Sequence, residues 1–210
     1  MYKRQPKGIS SFDVIRALRK KLGIWKMGHA GTLDPNATGL LIIATGAETK
    51  RLASLLGLPK TYEAEILLGK KTDSGDITGV VIEEKSVPAI SELGIKRALD
   101  GLIGNHFLRV PIYSAIKKAG KPLYKYARDG EEVEAPIKEM RVISAFLLKV
   151  DGGVISVSLG VSSGSYIRTL AELLAERLGT VGTVLNLRRT SIGDFKIENA
   201  KKIEDFGTIK

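Results

Sequence analysis

The chain has 210 residues, enough for one domain with a real hydrophobic core, and 43% of them are hydrophobic. It has no cysteine and only two histidines, His29 and His106, which excludes disulfides, cysteine-ligated zinc and thiol nucleophiles and argues against a histidine metal site. The formal net charge of +10 suits a polyanion partner as well as it suits a solvated lysine surface.

No apolar run is long enough to span a membrane. No charged-then-apolar leader opens the chain, so a cytoplasmic location is expected. Neither a phosphate-binding Walker sequence nor a dinucleotide fingerprint occurs. Only Met1 to Pro6 precede the segment that begins at Lys7, which suggests a shortened N-terminus.

Ser10-Ser11-Phe12-Asp13 opens a run with Val14, Ile15, Leu18 and Leu22 on one face. Ser10 and Asp13 stand as a capping box with a short acid, and Gly23 is a helix stop. The spacing predicts a helix over Ser11–Leu22. Lys26 to Leu40 follows, with three glycines among its residues. Asp34 is the only carboxylate between Asp13 and Glu48. Pro35 disfavours helical geometry at Asp34. Leu40 to Ala44 reads as a buried strand. A lone acid on a stiff loop before a core strand suits a nucleophile. On spacing alone, an Asp-Pro turn without chemistry is the better account.

Ala47 to Leu56 reads as a short helix and Thr61 to Leu68 as a strand. Gly69 to Asp76 is turn chemistry, without the spacing of a calcium loop. Val80 to Glu84 is a strand and Ser91 to Leu102 an amphipathic helix. Between Asn105 and Glu139 no period is sustained, and Lys and Arg alternate with Tyr113, Tyr124 and Tyr126. Rings can stack on unpaired bases while cations meet phosphates, so this stretch suits RNA. A surface hairpin with tyrosines packed on their own backbone is the plainer account. Arg141 to Val150 is a strand with Val142, Phe146 and Leu148 as core candidates. Asp151-Gly152-Gly153 signals a hairpin into the strand Val154–Val161. Ser163 to Thr169 leads into a helix ending near Leu178. Thr183 to Thr190 is the last long strand, and a short amphipathic turn with Ile203 and Phe206 follows.

Six segments carry a family resemblance. Gly28-His29-Ala30-Gly31-Thr32-Leu33-Asp34-Pro35, with Ala37-Thr38-Gly39-Leu40-Leu41, resembles the catalytic motif of the TruB family of pseudouridine synthases, which isomerise uridine 55 in the T-loop of tRNA. Lys7 to Asp13 is similar to that family's opening motif, Lys60 with Tyr62 to its second, and Gly164 to Thr169 to its third. Val184 to Arg189 resembles the end of its core. The resemblance implies Asp34 as catalytic aspartate, Arg168 as its partner and Tyr62 against the target base. It further implies that His29 helps displace that base, and that Tyr166 and Leu187 line the nucleotide pocket. The wording from Pro111 to Arg128 is similar to the RNA-gripping thumb of bacterial members. That makes Tyr113, Lys117, Lys118, Lys121, Tyr124, Lys125 and Arg128 candidate RNA contacts.

By its elements the chain is α+β. The resemblance implies the pseudouridine synthase fold: a mostly antiparallel mixed sheet with flanking helices, one domain over 1–210 and a thumb at about 105–139. It implies no cofactor, no metal, a tRNA T-arm as partner and a monomer. The small RNA-binding PUA domain of many bacterial members has no room here. Two other readings remain: a Cbf5/dyskerin-type enzyme directed by a guide RNA, and a non-catalytic RNA chaperone. The wording at Ala37-Thr38-Gly39 and the thumb weigh against the first. Retention of Asp34, Tyr62 and Arg168 together weighs against the second.

Overall fold

The computed structural model describes residues 2–205, so the expected turn residue Phe206 lies outside the described residues. In chain order the first half holds β1 (Tyr2–Gln5), α1 (Ser11–Leu22), β2 (Met27–His29), β3 (Ala37–Thr45), α2 (Leu52–Leu56), β4 (Lys60–Leu68), β5 (Lys70–Thr72), β6 (Val81–Glu84) and α3 (Glu92–Asp100). The second half holds β7 (Gly104–Arg109), β8 (Lys117–Lys118), β9 (Lys121–Pro122), α4 (Leu123–Asp129), β10 (Ile137–Asp151), β11 (Val154–Val161), α5 (Ile167–Arg177), β12 (Gly182–Ile192) and β13 (Phe195–Lys196). The fold is α+β with a mixed sheet: β12 runs parallel to β3, while β3 pairs antiparallel with β1 and β2, β10 with β7 and β11, and β12 with β13. The chain groups into two compact units: Met1–Glu63 with Asn186–Lys210, and Ala64–Leu185.

The first unit is built around β3. Its run of apolar residues is buried on both faces. Leu41 and Ile43 pack with Val14, Ile15, Leu18 and Leu22 of α1. Leu40 and Ile42 pack with Ile192 and Ile197 on the other side. Helix α1 starts as its sequence dictates: the Ser10 amide donates to Asp13 Oδ2 at 3.0 Å and the Asp13 amide donates to Ser10 Oγ at 3.2 Å. It ends at Gly23, whose φ of 66° is the left-handed stop. Residues 2–5, where the sequence suggested a shortened N-terminus, form a strand, pairing Tyr2 with Ile42 through Gln5 with Gly39. The expected helix at Ala47–Leu56 divides into a 3-10 segment, Gly46–Arg51, and the short α2.

In the second unit β10 pairs antiparallel with β11 and with β7. The β10–β11 hairpin turns on Gly152 and Gly153, as the sequence signalled. Ile155, Val157, Leu159, Met140, Val142, Ile95, Leu99, Leu170 and Leu174 are buried. Phe146 and Leu148, expected in the core, are 62% and 53% exposed. The reason is a shift of register in β10 between Val142 and Ser144, after which Ala145 rather than Phe146 faces inward, and Leu148 falls within a second shift, between Leu147 and Lys149. An extra residue at a bulge moves every later side chain to the opposite face. The stretch read as pure loop, Gly69 to Asp76, includes β5, which pairs with β6. The segment read as an insertion from 105 begins and ends in the sheet, because β7 and the start of β10 pair with each other. What stands outside those strands is 110–136. Although its sequence sustains no period, this segment buries Val110, Leu123 and Ala135. Among the described residues, no helix is long and apolar enough to cross a membrane.

Candidate active site

Asp34 lies on the loop between β2 and β3, and the backbone around it is held by buried polar groups of the first unit. Ser11 Oγ accepts from the Leu33 amide at 2.9 Å and donates to Gln5 Oε1 at 2.7 Å. The Gln5 amide nitrogen donates to the Asp34 carbonyl at 3.3 Å and to the Ile9 carbonyl at 3.1 Å. Gln5 and Ser11 are each 1% exposed. The Ala37 amide closes the Asp-Pro turn onto the Asp34 carbonyl at 2.9 Å.

Arg189 holds the loop from inside the sheet. Its side chain is fully buried. Nε donates to the Leu40 carbonyl at 2.8 Å, and the two terminal nitrogens reach the Gly31 and Thr32 carbonyls at 3.1 and 3.5 Å. The guanidinium lies 6.0 Å from the centre of the Tyr62 ring. One residue therefore touches both ends of the motif and the expected base-supporting tyrosine. Its backbone pairs with Gly39, whose φ is 119°. A side chain at Gly39 would collide with the Arg189 backbone, so that motif glycine is needed for a close approach. The sequence reading missed Arg189. The signal was there: in β12 it shares alternation with Leu187, and both face inward.

Tyr62, on β4, is 8% exposed. Leu187 pairs with Ala37, three residues beyond Asp34, and its carbonyl accepts from Thr38 Oγ1 at 3.5 Å. His29 ends β2, opposite Ile43. Burial, and then the charge of Arg189, hold its imidazole below the usual histidine range, with the Gly31 backbone opposing. That keeps the ring neutral near pH 7. Lys60 is also buried, and its Nζ donates to the carbonyls of Leu56 at 2.9 Å and Leu58 at 2.7 Å. Burial first, and the nearby Arg189 second, lower its pKa to about 8.

The remaining expected residues belong to the second unit. Arg168 sits in the first turn of α5 and is 4% exposed. It donates to the Ser74 carbonyl at 2.7 Å and the Tyr113 carbonyl at 2.9 Å. Sequence alone suggests a surface helix arginine there, and burial overturns that. Tyr166 is the residue before α5, and its amide approaches Met140 Sδ at 3.5 Å. The Asp73–Asp76 turn is tied to its own backbone: Asp73 Oδ1 accepts from the Val80 amide at 2.8 Å and Asp76 Oδ1 from the Thr78 amide at 2.9 Å.

The thumb residues are largely engaged with one another. Lys121 bridges Asp129 at 2.6 Å and Glu131 at 2.8 Å, and its ammonium lies 4.5 Å from the Tyr126 ring centre. Arg128 lies 5.4 Å from the Tyr124 ring. Lys118 donates to the Glu134 carbonyl at 2.8 Å. The Tyr113 hydroxyl reaches Asp73 Oδ2 at 3.4 Å. Lys117 and Lys125 are exposed, and among the described residues neither is in an ion pair.

Comparison with known proteins gives a consistent result. The family model described as "TruB family pseudouridylate synthase (N terminal domain)" matches residues 19–167. A tRNA pseudouridine synthase B of Endomicrobium trichonymphae is 42% identical over 201 residues, covering 96% of this chain and 87% of that protein. One of Xanthomonas campestris is 43% identical over 192 residues, covering 91% of this chain but 62% of that protein. Among solved structures, a chain of a Cbf5-Nop10-Gar1 complex superposes with a TM-score of 0.76 at 27% identity, over 98% of this chain and 52% of that one.

Proposed function

This chain belongs to the TruB family of pseudouridylate synthases, and we propose that it converts uridine 55 to pseudouridine in the T-loop of tRNA. The observation that carries this reading is the buried clamp on the Asp34 loop. Gln5, Ser11 and Arg189 fix the backbone on both sides of a single carboxylate. A group held that way needs little reorganisation to meet a reacting atom.

The reaction breaks the bond between N1 and the ribose C1′, turns the base, and joins C5 to the same C1′. The C5 proton leaves and N1 gains one, so there is no net redox change and no cofactor is required. Uridine 55 must leave its stack first. Asp34 then acts on the ribose, and Arg168 pairs with it and keeps it ionised. Tyr62 supports the base and takes part in removing the C5 proton. Leu187 and Tyr166 line the nucleotide pocket. The neutral ring of His29 suits the space a flipped base leaves, because it brings no charge to be desolvated. The thumb holds the T-arm. On this reading the enzyme is cytoplasmic and works as a monomer, since every motif residue comes from one chain. The guide-RNA alternative is less well supported: identity reaches 42% with a tRNA enzyme and 27% with the Cbf5 chain.

The test is incubation of purified protein with unmodified tRNA transcript, followed by mapping of pseudouridine. Modification at position 55 is expected, and an unmodified position 55 would overturn the reading. Asp34→Asn should lose many orders of magnitude in single-turnover rate while still binding tRNA. Activity within tenfold of wild type would remove Asp34 from the chemistry.

A further inference from the structure

Helix α1 has a second face that the core does not use. Val14, Ile15, Leu18 and Leu22 are buried and fix the helix against rotation. Phe12, Arg16 and Lys20, four residues apart, therefore line up on the outside, where all three are exposed. Phe12 is 53% exposed, with the Arg16 and Arg19 guanidinium groups 5.4 and 5.8 Å from its ring centre. Trp25, two residues past the helix stop at Gly23, is 75% exposed. The stripe begins beside the catalytic loop, because Ser11, next to Phe12, bonds the Leu33 amide at 2.9 Å. From Phe12 to Lys20 it runs for about 12 Å at the helical rise per residue.

Its charge is of one sign. Residues 1–26 hold eight lysines and arginines against one acid, Asp13. The Arg16–Asp13 pair, at 2.9 Å, has side chains 70% and 40% exposed, so its arginine is easily re-directed to a stronger anion. Two large rings left in water between cations match a sugar–phosphate backbone, which offers phosphates to the guanidinium and ammonium groups and ribose surface to the rings. A protein partner of ordinary composition offers no such run of anions. Of the stripe only Phe12 falls in a motif segment, Lys7–Asp13, and the residue roles that the resemblance implies leave this face unused.

We infer that the Phe12–Arg16–Lys20–Trp25 stripe is a second RNA contact, gripping the sugar–phosphate backbone of tRNA outside the target loop. The inference rests on tRNA being the substrate. It makes substrate binding extend from the catalytic loop along α1, and it separates affinity from chemistry, since no residue of the stripe belongs to the clamp on Asp34.

Trp25 is the only tryptophan, so the intact protein reports on this surface by its own fluorescence. Titration with tRNA should change Trp25 emission with the same midpoint as binding followed by filter retention. The double variant Arg16→Gln/Lys20→Gln should bind tRNA about fivefold to tenfold more weakly near 0.1 M salt, and its salt slope should fall by about two, one for each lost phosphate contact. The isomerisation rate at saturating enzyme should stay within twofold of wild type. Unchanged Trp25 emission on saturation with tRNA would overturn the inference, as would unchanged affinity and salt slope in the double variant. An equal response to anionic lipid vesicles would overturn it in favour of a membrane surface. Full binding and a Trp25 response without pseudouridine formation would sustain the contact and remove the proposed reaction instead.

Discussion

Around Asp34 the groups that shape the backbone are out of water. Ser11 is 1% exposed and Arg189 is 0% exposed, and the bonds they make to the Leu33 amide and the Leu40 carbonyl are buried. In the thumb, 110–136, the corresponding contacts face solvent. Lys121 keeps 27% of its side chain exposed and its partners Asp129 and Glu131 keep 53% each. A buried polar group that loses its partner forfeits hydrogen bonding outright, so such a network has one good arrangement. An exposed ion pair can exchange its partner for water or for a phosphate with little penalty. The first kind of contact fixes a carboxylate in place. The second kind holds a segment together while leaving its cations available.

The sharpest way to break that contrast is at Arg189. Arg189→Met keeps the bulk and leaves the Gly31, Thr32 and Leu40 carbonyls without their donor. The buried Leu40 carbonyl, left without its donor, costs about 1–3 kcal/mol, and the part-buried Gly31 and Thr32 carbonyls less, so a clear loss of stability is expected. The single-turnover rate of the folded fraction should fall about a hundredfold, on the scale of a misplacement of 1 Å. tRNA affinity should stay within threefold. Arg189→Lys, which can restore one or two of the bonds, should recover part of the rate. A wild-type rate in folded Arg189→Met would make Arg189 a core ion with no part in placing Asp34.

The thumb should respond in the opposite sense. Lys117→Glu with Lys125→Glu should weaken tRNA binding tenfold or more at low salt and reduce the salt slope. Melting temperature and saturated rate should be preserved. A lowered saturated rate with intact affinity would show that the thumb shapes the site rather than gripping RNA.

The two regions were also unequally legible. Helix α1 could be read to its ends, because Ser10, Asp13 and Gly23 are local signals that need no partner. The apolar run of β3 declared a strand buried on both sides. Phe146 and Leu148 were misread because a bulge changes the face of a strand without changing its composition. Arg189 was passed over beside Arg188, since charge alone argues for the surface and only tertiary carbonyls make its burial tolerable. Gln5 went unread because its burial depends on tertiary partners, Ser11 Oγ and the Asp34 carbonyl, that its own residue type does not announce. The thumb's own pairs were hidden because any of its lysines could have met any of its acids.

Lys60 tests the electrostatic side of the clamp. Its folded-state pKa of about 8 lies below the ordinary lysine value of 10.5. A depressed lysine pKa means that folding disfavours the charged form. The penalty is present in full below the folded pKa and is relieved as pH rises from 8 towards 10.5. Stability should therefore gain about 1 kcal/mol from this group between pH 7 and 9. Lys60→Met should flatten that rise in urea unfolding compared at the two pH values. An identical pH dependence in the two proteins would mean that Lys60 titrates normally and that Arg189 does not act on it.

The smallest effect is expected at the tip of the thumb ribbon. Lys117 pairs with Pro122 and Lys118 with Lys121, which leaves Ala119 and Gly120 as a two-residue turn. Both have positive φ, 50° at Ala119 and 81° at Gly120. A turn of that form favours asparagine followed by glycine. Alanine in the left-handed region costs about 1 kcal/mol through the clash of its Cβ with the carbonyl. Ala119→Asn should relieve most of that, because asparagine tolerates the conformation. Ala119→Gly should gain less, because glycine also frees the unfolded chain. The gain belongs to a ribbon held by surface contacts, so it should appear as slower hydrogen exchange at the Lys118 and Lys121 amides. The global melting temperature, set by the buried strands, should hardly move. Faster exchange in Ala119→Asn than in wild type would mean that the turn at Ala119 carries no strain to relieve. A rise of several degrees in global melting would tie the ribbon cooperatively to the sheet, and the division between fixed loop and adaptable thumb would fail.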